Sequence, residues 1–138
     1  MTGIDNEMVK DAPRLKEVIS SFLVFSKNAC LVAHNAQFDI PWLLTTLMRY
    51  QLDIPYTELL CTLKWAKTRE EGKRSLGALS KKYNIGHENA HRALADAVVT
   101  KSLFFIYDQD ASEKPFEPID RYIDLSQKIV KQFPSFIQ

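Results

Sequence analysis

Glycine is scarce in this chain, at four residues in 138. None of the four builds a glycine-rich phosphate cradle, which argues against a nucleotide-cofactor enzyme. Cysteine is scarcer still, with only Cys30 and Cys61. Both sit in apolar or strand-like stretches, without CxxC or other metal spacing. Buried, reduced thiols are therefore expected, not a disulfide framework or a zinc site. Neither sign of charge is in excess: 18 Lys+Arg against 17 Asp+Glu give a formal net charge of +1. Global charge marks no nucleic-acid binder, and any basic surface must be local. No apolar run reaches membrane-spanning length. The polar opening MTGIDNEMVKD carries no secretory signal pattern. A cytoplasmic protein with no membrane partner is expected. Internal repeats and low-complexity tracts are also absent.

What is present suits one soluble domain. Hydrophobic residues make up 46% of the chain, enough for a real core at this length. After a polar lead-in, Asp11 and Pro13 read as a helix start. Leu15, Val18, Ile19, Phe22 and Leu23 then recur at helical spacing. ACLVA (29–33) is a short apolar run that fits a buried strand. A second helix opens at Pro41, with Trp42, Leu43, Leu44, Leu47 and Met48 as its apolar face. Residues 57–65 read as a second strand and 67–74 as a charged loop. Ser75 caps a short helix that turns Leu76, Leu79 and Tyr83 inward. Residues 91–108 form the last strong helix, with Ala93, Leu94, Ala97, Val98, Leu103, Phe104 and Ile106 as its apolar positions. Alternating strands and helices indicate an α/β domain over 1–110. Residues 111–138 read as a linker and a C-terminal amphipathic helical segment. Two strands are few for so many helices, so the sheet is expected to be incomplete.

Two aspartates stand out. Asp39 ends AHNAQFD (33–39), directly after the first strand. Polar residues at the carboxyl end of a strand are the usual site position in α/β sheets. Asp96 lies in ENAHRALADA (88–97), five residues after His91. Acids at helix starts are also common for local reasons, so position alone leaves capping and catalysis both open. His34 and His87 have no partner at informative spacing and read as structural or surface residues.

Taken together, NxxFD (Asn35 to Asp39) and HxAxxDA (His91 to Ala97) resemble the second and third motifs of the DEDDh family of 3′–5′ exonucleases. That family contains the proofreading epsilon subunit of bacterial DNA polymerase III, ribonuclease T and oligoribonuclease. The resemblance runs from Thr2 to about Tyr107. It implies a ribonuclease H-like fold, a mixed sheet flanked by helices. It also implies phosphodiester hydrolysis from the 3′ end with two divalent ions, Mg²⁺ or Mn²⁺. By motif, Asp39 and Asp96 would be metal ligands and His91 the general base. Asn35 and Phe38 would help shape the pocket and seat the substrate strand, and Arg92, next to His91, adds local basic charge that suits a phosphate backbone. The residue types suit the chemistry: hard cations take oxygen ligands, and a histidine neutral near pH 7 accepts a proton from water.

The family's first motif, DxE on an opening strand, is missing. The one similar triplet, Asp5-Asn6-Glu7, sits in a polar loop and is rejected. The expectation is therefore an exonuclease-family domain truncated at its N-terminus, lacking the opening strands and with little or no activity as this single chain. The alternative is a non-catalytic module binding nucleic acid or a polymerase. Expected partners are single-stranded DNA or RNA 3′ ends, a DNA polymerase subunit, and a second copy through the exposed sheet edge at ACLVA. Lys64, Lys67, Arg69, Lys73 and Arg74 form a local basic stretch that suits a phosphate backbone. Glu70 and Glu71 interrupt it, and a solvated loop would look the same.

Overall fold

A computed structural model describes residues 3–53, 59–86 and 92–109. The chain runs α1 (Leu15–Phe25), β1 (Leu31–Ala33), α2 (Asp39–Arg49), β2 (Leu59–Cys61), α3 (Thr62–Arg69), α4 (Leu76–Lys82) and α5 (Ala93–Gln109). The strands pair in parallel, with Leu31 opposite Leu59 and Ala33 opposite Cys61. The expected α/β class is borne out. Among the described residues the sheet has two strands, so one edge of β1 is unpaired.

Helix α1 begins where Glu17 reaches back to accept the Arg14 N–H at 3.3 Å. The cap lies at Arg14, not at Asp11. The chain leaves the helix through Asn28, whose positive φ of 62° suits asparagine. Ile19 (α1), Ala36 and Ile40, Leu43, Leu44 and Leu47 (α2) form a first core with Leu59 of β2. Residues Leu31, Ala33 and Cys61 pack against it from the sheet. Strand alternation sends Val32 and Leu60 to the opposite face.

The second core joins Trp65 and Ala66 (α3), Leu79 (α4) and Val99, Leu103 and Tyr107 (α5). Ser75 caps α4 as expected, its Oγ accepting the Ala78 N–H at 3.4 Å. The helix stops through Asn84 in a left-handed conformation, with the Ile85 N–H donating to Ser80 O at 2.8 Å.

Several expectations are corrected. TLKW is not strand: α3 starts at Thr62, because Trp65 and Ala66 are buried against α4 and α5 at helical spacing. Trp42, Leu94 and Val98 are 60%, 79% and 49% exposed, so they do not belong to the core. On α5 the buried stripe is Val99, Leu103 and Tyr107, which keeps the expected Leu103 and replaces Leu94 and Val98. Cys30 is exposed because β1 begins only at Leu31, and both cysteines are free thiols. The C-terminal segment 111–138 lies outside the described residues.

A buried acid ties the second half together. Glu70, its side chain 1% exposed, takes Lys82 Nζ at 2.5 Å. It also accepts the hydroxyls of Tyr83 and, at 3.1 Å, Tyr107. Its own carbonyl is gripped by Arg74, from Nη2 at 2.6 Å and Nε at 2.9 Å. Burial pushes the Glu70 carboxyl up, but Lys82, Tyr83 and Tyr107 outweigh it, and the net shift is below the ordinary carboxylate value. Burial and the Glu70 charge push the Tyr107 phenol in the other direction, well above its usual range.

Candidate active site at the carboxyl ends of the parallel strands

Strands β1 and β2 end side by side at Ala33 and Cys61. The turn out of β1 holds the first candidate acid. Asn35 adopts a positive φ of 69°, a conformation asparagine tolerates far better than branched residues. The Phe38 N–H then donates to Asn35 O at 3.1 Å and the Ile40 N–H to Ala36 O at 3.0 Å. Buried Ala36 anchors the turn. Asp39 is thereby delivered as the first residue of α2. Pro41 falls in the first turn, where its missing N–H costs nothing. Asn35 thus acts through its backbone, a role its side chain chemistry alone does not reveal.

Asp39 has its pKa raised by partial burial, an effect that its own backbone hydrogen bond and nearby His34 only partly oppose. His34 is the tie between the two strand ends. Its Nε2 lies 3.0 Å from Arg74 O and its Nδ1 2.9 Å from Thr62 Oγ1. A carbonyl can only accept, so Nε2 carries a proton. Burial lowers the His34 pKa despite the Arg74 carbonyl and Asp39. In the neutral ring Nδ1 accepts from the Thr62 hydroxyl. The residue joins the β1–α2 turn to the start of α3 and to the loop before α4. Sequence left it as a structural or surface residue; its partners lie 28 and 40 residues away, beyond any local pattern.

We expect His34→Ala to lose two partly buried hydrogen bonds and about 1–3 kcal/mol of stability. His34→Gln should recover part of that loss. Urea denaturation of the three proteins checks both.

Asp96 lies in the first turn of α5, its N–H donating to Arg92 O at 3.0 Å. Its carbonyl accepts the Thr100 hydroxyl at 2.9 Å. Helix α5 packs against β1, the strand whose exit turn leads to Asp39. Arg92 is exposed just before α5. Phe38 is 71% exposed at the start of α2. His91 lies outside the described residues. Asp5 and Glu7 are in an exposed turn, where Asp5 accepts the Met8 N–H at 2.9 Å and Glu7 pairs with Lys10. They stand on no strand, in keeping with their rejection as a DxE motif.

The basic stretch is partly absorbed by the fold. Arg74 is bound to Glu70 O, and the Arg69 guanidinium lies 5.2 Å from the Trp65 ring centre. Lys67 and Lys73 are exposed.

Residues 1–104 match the family model described as exonuclease. The chain belongs to the exonuclease family. This bears out the resemblance carried by the two motifs. The chain is also 33% identical over 132 residues to a PolC-type DNA polymerase III of Streptococcus mutans, a match covering 94% of this chain and 9% of that protein. It is 36% identical over 116 residues to the PolC-type DNA polymerase III of Streptococcus thermophilus, covering 83% of this chain and 8% of the relative. The chain thus spans about a tenth of the length of these relatives. Among the described residues no helix is long and apolar enough to cross a membrane.

Exonucleases of this family generally use divalent metal ions. The two aspartates fit such an ion in donor type, since hard cations take carboxylate oxygens. In number they fall short: no group of three or more His, Cys, Asp or Glu donors forms among the described residues.

Proposed function

We propose that this chain is a 3′–5′ exonuclease domain that contributes half of a two-metal site acting on single-stranded DNA ends. One observation carries the reading. Asp39 opens α2 after the turn out of β1, and Asp96 lies in the first turn of α5, the helix that packs on β1, both within the stretch that matches the exonuclease family. Asp39 and Asp96 would hold Mg²⁺ or Mn²⁺. His91 would take the proton of the attacking water. Phe38 and Arg92 would seat the strand, and the Asn35 turn would set the position of Asp39. When bound, the ions supply positive charge to the phosphate and to the leaving oxygen. A polymerase is the natural partner, because the relatives are polymerases. The 138 residues contain no DxE on an apolar strand. With its DxE triplet, Asp5-Asn6-Glu7, in an exposed turn, the chain alone is expected to hydrolyse little or nothing.

Calorimetric titration with MnCl₂ tests the reading. The chain should bind the ion, and Asp39→Asn and Asp96→Asn should each weaken binding about tenfold or more. Asp39→Asn should also raise the unfolding midpoint near neutral pH. The sign follows from the raised pKa: folding favours the protonated form, so the stability Asp39 contributes is fullest in acid and falls as pH rises through its folded pKa. A chain that binds oligonucleotides while both variants leave manganese affinity unchanged would instead be a non-catalytic binding module. Robust hydrolysis by the pure chain, abolished in Asp96→Ala, would overturn the half-site.

A further inference from the structure

Helix α5 is apolar on two sides. Val99, Leu103 and Tyr107, each 0% exposed, form its packed stripe against α3 and α4. Leu94, Val98, Lys101 and Phe105 follow one another at steps of four, three and four residues, which makes them one stripe of the helix. At about 100° per residue, that stripe lies on the side opposite the packed one. Leu94 is 79%, Val98 49% and Phe105 51% exposed. A helix that is apolar all round is normally covered all round. Among the described residues the second side of α5 stays open to solvent.

The chain itself carries a matching face beyond Gln109. Tyr122, Ser126, Ile129 and Phe133 repeat the same steps of four, three and four. Ile119, Ile123 and Val130 widen that apolar side, while Asp120, Asp124 and Lys131 fall opposite it at helical spacing. The match to the exonuclease family ends at residue 104 and does not reach this segment. We propose that residues 119–133 fold back as a helix antiparallel to α5 and cover its open side. Phe105 then meets Tyr122, Val98 meets Ile129 and Leu94 meets Phe133. The one polar position of each stripe, Lys101 and Ser126, falls opposite the other. A shift of two residues either way would set Asp120 or Asp124 against Phe105, so the mirrored steps fix the register.

Length and connection agree with this pairing. Helix α5 has 17 residues and spans about 25 Å, and 119–133 as a helix spans about 22 Å. The link 110–118 holds Pro115 and Pro118, which stop α5 from simply continuing. A link this short joins antiparallel neighbours. A second copy is the poorer occupant. Its α5, seated antiparallel and centred on this stripe, would set Lys101 against Val98, where the chain's own segment offers Ser126 to Lys101 and Ile129 to Val98. Nothing in the pairing depends on the candidate metal site.

Disulfide cross-linking tests it in the 138-residue chain carrying Cys30→Ser and Cys61→Ala. Under mild oxidation, Val98→Cys with Ile129→Cys should close an intramolecular disulfide about tenfold faster than Val98→Cys with Lys131→Cys, whose second thiol lies on the polar side. Both reduced chains should keep the circular dichroism of the parent. Limited trypsin digestion gives a second readout, with the native cysteines in place. Val98→Asp puts a charge on the contact and should speed cutting after Arg121, Lys128 and Lys131 about tenfold. Cutting after Lys10, in its exposed turn, should not change. No disulfide, or equal rates for the two pairs, overturns the pairing. Disulfides between chains would overturn it by assigning the face to a second copy. Equal digestion of the parent and Val98→Asp would overturn it as well.

Discussion

Glu70→Ala is expected to lower the unfolding free energy by about 3–5 kcal/mol, the largest single effect on this fold outside the hydrophobic cores. The carboxylate is 1% exposed and receives Lys82, Tyr83 and Tyr107. Removing it strands the Tyr107 hydroxyl, on a residue that is 0% exposed, with no replacement by water. Lys82→Met should cost only about 1 kcal/mol, because Lys82 is 54% exposed and the two tyrosines still satisfy the acid. Acid should have the same effect as the mutation. The Glu70 pKa is lowered in the fold from a reference of 4.5. Its contribution is therefore full above that reference and lost as pH falls through the lower folded value. Denaturant titrations of the parent and Glu70→Gln across this window check it: their difference should be constant near neutral pH and shrink in acid. A difference that stays flat into acid would show that the Glu70 charge does not hold α3, α4 and α5 together.

Leu44→Ala and Leu103→Ala should each cost about 2–5 kcal/mol, since both side chains are 0% exposed and neither site can refill with water. They probe different cores, one beneath α2 and the other beneath α5. With no shared cluster, their effects should add to within about 0.5 kcal/mol in the double variant. A large departure would show that the two cores behave as one. Each core also supports one candidate acid, Asp39 on α2 and Asp96 on α5. Either substitution should therefore weaken manganese binding by loosening one side of the site, measured in the same calorimetric titration.

Much of the architecture was legible from residue order. The Ser75 cap, a strand within ACLVA (29–33) and the inward Leu43, Leu44 and Leu47 of the second helix follow from local chemistry, and the structure contains each of them. Where local pattern failed, packing had decided. TLKW is rich in residues that strands accept, yet Trp65 and Ala66 meet α4 and α5 only if the segment is helical. Leu94 and Val98 fit a helical stripe as well as Val99 and Leu103 do, and only the position of the neighbouring helices selects between them.

By itself the sequence determined the family, because Asn35 to Asp39 and His91 to Ala97 are contiguous motifs whose chemistry is carried in residue type and spacing, and it offered Asp39 and Asp96 as the candidate acids. The rejection of Asp5-Asn6-Glu7 as the first motif rested on its polar surroundings, and the structure places it in an exposed turn. Three features belong to the tertiary structure alone. Glu70 looked like one more charge in a polar loop until the fold surrounded it with two tyrosines and a lysine. His34 acquired its function as a tie from Thr62 and Arg74, which only the parallel strand ends bring near. Trp42 was placed in solvent beside Asp39 because Leu44 and Leu47 had already filled the core side of α2. In each case the deciding contact joins residues far apart in the chain, or depends on which face of a helix is already occupied, and neither is written in local sequence.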